Sequence, residues 1–235
     1  MCGRYALTDL KALLKEDRFR LETFPPDLSP RYNIAPSQPV PAILNQAPRR
    51  LQLVRWGLVP SWAKDPTIGY RMINARAETI ADKPAFRRPL QRQRCLIPAD
   101  GFYEWQQLGP RKIPHWITLA SGEVFAFAGL WDSWTDPKTK TAVTSCTIIT
   151  TTPNRLLASI HNRMPVILPH ESEATWLSDG LNPEHARALL KPYPATQMET
   201  APVSTLVNSP SNDTPDVLKP DIRKFPLSRT TPTPS

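Results

Sequence analysis

Two apolar runs, Val124–Leu130 (VFAFAGL) and Val143–Ile149 (VTSCTII), predict β-strands in this 235-residue chain. Residues that favour turns, among them Asp, Pro and Lys, separate the two runs, as they separate neighbouring strands. Three more runs of this kind are Pro41–Leu44, Cys95–Ile97 and Trp116–Leu119. Together they predict an α+β domain with one large, curved, mostly antiparallel and barrel-like β-sheet, flanked by short helices.

Helix signals lie on both sides of these strands. Thr8 can cap a short amphipathic helix over residues 10–14. Thr152-Pro153 combines a capping side chain with a proline at the first helical position, which predicts a helix that ends near Ile160. Asn182-Pro183 repeats the combination and predicts another short helix after it.

The chain has the composition of one soluble domain. Hydrophobic residues make up 40% and charged residues 21% of it, and 28 prolines against 8 glycines indicate many rigid turns and few long helices. No internal repeat or long linker divides the sequence. We therefore predict a single domain over residues 2–227, followed by a disordered Thr/Pro-rich tail over residues 228–235.

Basic residues exceed acidic ones by 29 to 21, which gives a formal charge of +8. Such an excess favours a polyanionic partner, most commonly nucleic acid. Neither a signal peptide nor an apolar run of membrane-spanning length is present in the sequence. Cys2, Cys95 and Cys146 form an odd set without CxxC spacing, typical of a reducing compartment. We predict a cytoplasmic protein with no membrane partner.

Common catalytic signatures are missing from the sequence. Its glycines form no dinucleotide-binding, phosphate-loop or nucleophile-elbow motif. His115, His161, His170 and His185 show neither the HExxH pattern nor Cys/His zinc spacing. We expect no cofactor and no metal, although a metal site assembled from distant residues stays open.

Cys2 directly follows the initiator methionine, and its small side chain permits removal of Met1. The new N-terminus would carry a thiol and an α-amine with ordinary pKa values of about 8.5 and about 7.7–8.0. Such an aminothiol attacks an aldehyde twice, because the amine forms a Schiff base and the thiolate then closes a thiazolidine ring. The second step is intramolecular and gains an effective molarity of about 10⁵ M or more. The alternative is an incidental cysteine behind a retained Met1.

Seven motifs extend this pattern along the chain. They are Met1–Tyr5 (MCGRY), Arg31–Pro36 (RYNIAP), Trp56–Trp62 (WGLVPSW), Ile73–Thr79 (INARAET), Arg94–Trp105 (RCLIPADGFYEW), Thr150–Asn154 (TTTPN) and Ile160–Pro165 (IHNRMP). In this order and spacing, from Cys2 to about Asn212, the chain resembles the SRAP family. These SOS response-associated peptidase proteins crosslink to abasic sites in DNA.

The resemblance implies a covalent mechanism on damaged DNA. Cys2 would capture the ring-opened aldehyde of an abasic site in single-stranded DNA, and the thiazolidine crosslink would shield the lesion from strand cleavage. Autocatalytic removal of Met1 is the self-processing peptidase activity that the family implies. A Schiff base also permits β-elimination, so we expect weak lyase activity at abasic sites. We expect the protein to be a monomer.

Three side chains are candidates to assist Cys2. Asn74 carries a neutral amide that can bond the α-amine or the sugar hydroxyls. Glu104 shares a strand face with Phe102, and burial among aromatic residues raises the pKa of a carboxyl and suits it to protonate the sugar ring oxygen. His161 follows the predicted helix end, where the helix C-terminus raises the imidazole pKa for proton transfer. The resemblance assigns all four residues to the family's catalytic set.

Each of these residues also has an ordinary structural interpretation. Asn74 can be a turn asparagine, Glu104 an edge-strand glutamate paired with an arginine, and His161 a helix-capping residue. Cys95 and Cys146 lie in apolar strand patterns, which predicts structural burial.

Basic residues concentrate at positions 71–94, where seven lysines and arginines stand against two acidic residues. Such a surface can follow a phosphate backbone, and interleaved aromatic rings can stack on unpaired bases. The predicted DNA contacts are Arg4, Arg76 and Arg87 to phosphates, and Trp62, Tyr70 and Phe86 to bases. A solvated basic face is the alternative.

Two other functions compete with the covalent one. A noncovalent single-stranded nucleic-acid-binding module would use the charge and the aromatic rings without Cys2. A cysteine peptidase acting on other proteins would use Cys2 and His161 as nucleophile and base. The trailing segments Pro202–Ser204 and Asn208–Pro210 also resemble the family, and we expect them to pack near the site.

Overall fold

The two apolar runs form the longest pair of strands in the computed structural model, which describes residues 2–15 and 19–220. The strands are β1 (Tyr5–Leu7), β2 (Arg31–Ile34), β3 (Pro39–Leu44), β4 (Leu51–Trp56), β5 (Asn74–Arg76), β6 (Arg94–Ala99), β7 (Gly101–Leu108), β8 (Arg111–Leu119), β9 (Phe125–Thr135), β10 (Ala142–Thr151), β11 (Met164–Pro165), β12 (Ile167–Leu168) and β13 (Met198–Pro202). The helices are α1 (Leu10–Lys15), α2 (Pro84–Arg92), α3 (His170–Leu177) and α4 (Pro183–Ala188).

Five of the strands close into a barrel. β9 pairs with β6 and with β10, and the ring continues from β10 through β4 and β3 back to β6. The β4–β10 pair is parallel, while the other four pairs are antiparallel. The predicted α+β fold with a curved, mostly antiparallel, barrel-like sheet is therefore confirmed.

A second sheet lies beside the barrel, with strand order β13-β8-β7-β1-β2 and antiparallel pairing throughout. The chain passes from β6 of the barrel to β7 of this sheet at Asp100. The Asp100 carboxylate accepts hydrogen bonds from the backbone N–H and hydroxyl of Thr8 and from the N–H of Asp9. This crossing holds β1, and with it the start of the chain, next to β7.

Fully buried aromatic rings fill the centre of the fold. Phe127 on β9 makes edge contacts with Tyr5, Phe102 and Phe125, at ring-centroid distances of 5.7, 6.0 and 5.2 Å. Tyr5 also meets Trp56 at 5.4 Å. Since Tyr5 belongs to β1, these contacts fix the N-terminal strand against the barrel core.

The barrel wall leaves room for buried sulfur at Gly129. A Cβ atom there would lie 2.7 Å from Cys95 Sγ and 3.1 Å from the carbonyl oxygen of Thr147, so only glycine fits between these groups. Cys95 and Cys146 are both fully buried and unpaired by disulfide. Their predicted structural burial is confirmed.

Two of the three predicted helices are present. α1 begins at Leu10, with Asp9 rather than Thr8 as its cap, because the Asp9 carboxylate accepts the N–H of Ala12 at 2.9 Å. α4 begins at Pro183, and Asn182 accepts the N–H of Glu184 at 2.8 Å.

The predicted helix from Thr152 to Ile160 is wrong. β10 extends to Thr151, and the Asn154 side chain then accepts the N–H groups of Leu156 and Leu157. These bonds make a turn, and only the 3₁₀ segment Leu157–Ser159 follows. Asn154, rather than the predicted cap Thr152, accepts these N–H groups, and its bonds form a turn instead of the first turn of an α-helix.

α2 and α3 were not predicted, and they change the interpretation of the basic run. Arg94 is completely buried and donates hydrogen bonds to four carbonyl oxygens, those of Leu90, Gln91, Trp176 and Ser178. It therefore joins α2 to the end of α3 and contributes no charge to the surface. Counting Arg94 in a solvated or DNA-facing basic patch was wrong.

Residues 228–235, predicted to be a disordered tail, lie outside the described part of the chain. No helix in the described part is both long and apolar enough to cross a membrane. Likewise, within residues 2–15 and 19–220, His, Cys, Asp and Glu side chains do not gather in groups of three or more that could hold a metal ion.

Candidate active site

Glu104 is a buried carboxyl on an interior strand. Its side chain is 3% exposed, and β7 pairs with β1 on one side and β8 on the other, so the edge-strand alternative is wrong. Strand alternation puts Glu104 on the face of Phe102, which packs in the main core, as predicted. Burial raises the pKa of Glu104 to about 7. The expected upward shift is confirmed, so the carboxyl holds a proton in part of the molecules at neutral pH.

His161 lies against Glu104, although the two are far apart in the sequence. Its Nδ1 is 3.9 Å from Glu104 Oε1. Burial lowers the pKa of His161, so the predicted increase is wrong. The predicted helix is only a short 3₁₀ segment and carries no sizeable dipole, while desolvation disfavours imidazolium.

The turn after His161 determines which ring nitrogen carries a proton. The backbone N–H of Arg163 donates to His161 Nδ1 at 3.0 Å, which assigns the neutral ring proton to Nε2. The carbonyl oxygen of Arg163 lies 3.2 Å from the same Nδ1. The turn can therefore accommodate both protonation states, as donor to a neutral ring and as acceptor from a charged one.

Cys2 is completely buried beside this pair. Burial raises the pKa of its thiol well above the ordinary value, and the negative charge of Glu104 raises it further. The thiol therefore does not have the ordinary reactivity that the sequence argument assigned to it. Because burial is the larger cause, the thiol stays protonated until a reaction partner takes up its proton.

Asn74 stands at the start of β5, beside Ile148 of β10. Its amide nitrogen donates to the carbonyl oxygen of Ile73 at 3.0 Å. Its buried Oδ1 has no hydrogen-bond partner in the described part of the chain, and Asn74 makes no hydrogen bond there to Cys2, Glu104 or His161. The amide oxygen is thus free to accept from an ammonium or a hydroxyl group.

A cleft of about 730 Å³ opens over the Glu104–His161 pair. One wall belongs to β7 and β8, and the opposite wall follows the 3₁₀ segment and includes the C-terminal part of the domain. The lining residues are Glu104, Trp105, Gln107, Lys112, Ile160, His161, Asn162 and Asn208. Trp105 donates its indole N–H to Asn208 Oδ1 at 2.7 Å. The prediction that the Asn208 region packs near the site is confirmed.

The wall that contains Asn208 belongs to residues 204–213, called here the closing segment. Asn33, fully buried on β2, donates from its amide to carbonyl oxygens of Val207, Ser209 and Asn212. Asp213 in turn accepts the backbone N–H groups of Tyr32 and Asn33 and pairs with Arg31. Asn33 lies within the RYNIAP motif, from which no role for it was predicted.

Arg4 connects the N-terminal strand to this network. Its guanidinium donates to Asn33 Oδ1 at 2.8 Å and to the Val207 carbonyl oxygen at 2.6 Å, and it lies 5.9 Å from the centre of the Trp105 ring. Part of its donor capacity is therefore used inside the protein. Contact between Arg4 and a phosphate stays a prediction.

The other predicted DNA contacts differ in exposure. Arg76 and Arg87 are exposed, and Trp62 is 60% exposed. Phe86 is half-buried and packs against the core, which leaves less of its ring for stacking. Trp62 lines a separate groove with Tyr70, and the Asp132 carboxylate holds its loop through the N–H of Ser61 at 2.8 Å.

A closed barrel and a neighbouring sheet that bury a cysteine at position 2 beside a glutamate–histidine pair define a class of protein. The chain belongs to the SRAP family, since the model of SOS response associated peptidase (SRAP) matches residues 1–210. The resemblance stated from the sequence motifs is confirmed.

Similar proteins are found in bacteria and in animals. Abasic site processing protein YoqW of Bacillus subtilis is 49% identical over 225 residues, covering 93% of this chain and 99% of that protein. Abasic site processing protein HMCES of Gallus gallus is 34% identical over 240 residues, covering 88% and 68%. A crystal structure of a Bacteroides thetaiotaomicron protein superposes with a TM-score of 0.84 at 30% identity, covering 93% of this chain and 99% of that one.

Proposed function

We propose that this protein processes abasic sites in single-stranded DNA by forming a covalent crosslink through Cys2 after Met1 is removed. One observation carries the proposal. The Cys2 thiol lies in the electrostatic field of Glu104, and Glu104 lies 3.9 Å from His161. The relatives named abasic site processing proteins support DNA with abasic sites as the target.

In the first step Glu104 acts as a general acid. An abasic sugar is mostly a closed hemiacetal. Protonation of its ring oxygen breaks the bond to the anomeric carbon, the anomeric hydroxyl loses its proton to water, and the reactive aldehyde forms. A pKa of about 7 leaves Glu104 protonated in about half of the molecules at neutral pH. The donated proton leaves a carboxylate, which then favours a protonated His161 beside it.

The crosslink then forms in two additions. The Cys2 α-amine attacks the aldehyde carbon, and loss of one water gives the imine. The Cys2 sulfur next attacks the imine carbon, the imine nitrogen takes up the thiol proton, and a thiazolidine closes with no further loss of atoms. His161 Nδ1 accepts and returns the proton, since Arg163 can bond the ring in both states. Asn74 Oδ1 holds the ammonium or a sugar hydroxyl.

Two secondary activities belong to the same proposal. Removal of Met1 generates the α-amine, and we assign it to self-processing at the same centre. The imine also permits β-elimination, which would nick the strand weakly. We assign phosphate contacts to Arg4, Arg76 and Arg87 and base stacking to Trp62 and Phe86, with the protein acting as a monomer in the cytoplasm.

A crosslinking assay separates this function from a noncovalent binding module and from a peptidase acting on other proteins. Wild type is expected to give a denaturation-stable adduct with single-stranded DNA that contains one abasic site. Cys2→Ala is expected to lose the adduct while still binding DNA. Cys146→Ala, which also removes a buried thiol, is the matched control and should crosslink. If Cys2→Ala crosslinks like wild type, the proposed chemistry is wrong.

Borohydride trapping tests the role of the amine. Cys2→Ala retains an α-amine once Met1 is gone, so it should still form a reducible imine and nick the strand. Loss of both in a variant that binds DNA and lacks Met1 would contradict the two-step scheme.

A further inference from the structure

A bidentate ion pair lies next to the candidate active site and has no part in the chemistry described so far. Arg163 Nη1 is 2.7 Å from Glu78 Oε1, and its Nη2 is 2.9 Å from Glu78 Oε2. The Arg163 side chain is 12% exposed, and Glu78 is 45% exposed. Hydrogen bonding by Arg163 lowers the pKa of Glu78. Because the two side chains share two hydrogen bonds and Arg163 is largely shielded from water, this ion pair is stronger than a typical surface ion pair.

The pair connects two segments that carry candidate catalytic residues. Glu78 follows β5, which begins at Asn74, and Arg163 is two residues after His161. Both segments meet on one backbone atom, the carbonyl oxygen of Thr150, which accepts the N–H of Ala77 at 2.9 Å and Arg163 Nη2 at 2.7 Å. The side chain of Arg163 therefore fixes its own backbone relative to β10 and β5.

That backbone contacts the imidazole directly. The N–H of Arg163 can only donate, and it donates to His161 Nδ1 at 3.0 Å. The same ring atom is 3.9 Å from Glu104 Oε1. Any rotation of the Arg163 peptide would move the donor away from Nδ1 and change both the tautomer and the orientation of the ring.

We propose that Glu78 is a positioning residue which, by clamping Arg163, holds His161 in the Nε2–H tautomer with Nδ1 directed at Glu104. The inference rests on the proposed function, in which His161 transfers the proton. Glu78 touches neither His161 nor Glu104 through any hydrogen bond in the described residues, so it acts through Arg163.

Glu78→Gln tests the clamp, because it keeps the size of the side chain and removes its charge and one acceptor. The crosslinking rate at saturating DNA is expected to fall about 10- to 100-fold, since small displacements of a catalytic group have effects of that size. DNA affinity should stay the same or increase, because a carboxylate beside Arg76 is removed. A general loss of folded protein would lower DNA binding together with the crosslinking rate.

Two comparisons make the rate effect specific. Glu22→Gln breaks the exposed Glu22–Arg49 pair and should leave crosslinking unchanged. Arg163→Lys keeps the charge but loses the bidentate geometry, and it should slow the reaction as Glu78→Gln does. If Glu78→Gln fails to fold, Arg163→Lys provides the same test.

The ¹⁵N spectrum of the His161 ring tests the clamp without any reaction. Wild type should show the Nε2–H tautomer, and Glu78→Gln should show a mixture. A wild-type Nδ1–H tautomer, or a variant with wild-type tautomer and rate, would overturn the proposal. If wild type forms no crosslink at all, the proposed function fails, while the tautomer measurement still decides on the clamp.

Discussion

The barrel and the cleft wall formed by the closing segment are held by different kinds of interaction. In the barrel, Phe127 meets three other aromatic rings, and every ring is buried. At the closing segment, Asn33 donates to three backbone carbonyls and accepts from Arg4. Apolar packing is strong and largely non-directional, whereas a buried amide network is directional.

The two kinds of interaction have different consequences for the stability of the fold and for the geometry of the cleft. Barrel packing contributes most of the free energy of folding and keeps water away from Cys2. The polar network contributes less free energy but sets the position of Arg4 and of the wall that contains Asn208. Changes in the barrel should therefore affect stability first, and changes in the network should affect the reaction first.

Phe127→Ala should have the largest effect on stability. Removing a buried ring from a core costs about 3–5 kcal/mol, which corresponds to a fall in Tm on the order of 10 °C. The crosslinking rate per folded molecule should fall less than in Asn33→Ala, because Phe127 affects the N-terminal strand through the ring of Tyr5. Leu53→Ala on barrel strand β4, where the side chain is 47% exposed, is the control and should change stability by about 0.5 kcal/mol or less. Calorimetry together with the crosslinking assay checks both.

Glu104→Gln should remove a pH dependence of stability on the order of 3 kcal/mol. The folded pKa of about 7 lies above the ordinary value of about 4.3, so the folded state holds the proton longer. The stabilising contribution of Glu104 is complete below pH about 4 and is lost as pH rises through about 7. Urea unfolding at pH 5 and pH 8 should show a larger loss for wild type than for the variant.

The same proton should appear in the reaction. As a general acid, Glu104 loses its proton as pH rises past about 7, so the crosslinking rate of wild type should fall there. A Glu104→Gln variant that keeps the wild-type pH profile, in stability or in rate, would show that another group titrates.

Asn33→Ala should reduce stability by about 2–3 kcal/mol, because the fully buried Asn33 amide is the donor to three carbonyl oxygens of the closing segment. Crosslinking at saturating DNA should slow as well, since Arg4 loses its hydrogen bond to Asn33 and keeps the one to Val207. Asn182→Ala, which removes the cap of α4 and does not line the cleft, is the matched control and should cost about 1 kcal/mol without slowing the reaction. If Asn33→Ala and Phe127→Ala slow the reaction equally, the division between the two regions fails.

Arg87→Ala should have the smallest effect on the fold, because its side chain is exposed on α2. DNA affinity should weaken for all sequences, and the salt dependence of binding should lose about one phosphate contact. The rate at saturating DNA should not change. Arg49→Ala, outside the basic run, is the control. Equal salt dependence in both variants would contradict a specific contact by Arg87.

Much of the fold could be predicted from the sequence because its strands are local apolar patterns. All five apolar runs lie in strands, apart from Val124 just before β9, and the buried face of β7 follows from alternation at Phe102 and Glu104. α2 could not be predicted from pattern, because Pro84 and Pro89 stand in it and basic residues cover one face. Its place is set by tertiary contacts, including the buried Arg94.

Residues for the candidate site could be proposed from the sequence, but their electrostatics could not. Motif resemblance identified Cys2, Glu104 and His161, and burial raised the pKa of Glu104 as expected. The pKa shift of His161 was predicted with the wrong sign, because the helix before it does not form and the ring is partly buried. Asn33 and the Glu78–Arg163 pair depend on contacts between distant segments, which spacing along the chain does not reveal.

Intact-mass spectrometry tests whether Cys2 forms the crosslink once Met1 is removed. The purified protein is measured alone and after incubation with single-stranded DNA that carries one abasic site. The protein alone is expected to lack Met1, and the incubated sample is expected to contain a heat-stable species with the mass of protein plus DNA minus one water. Retained Met1 together with no adduct would contradict this mechanism.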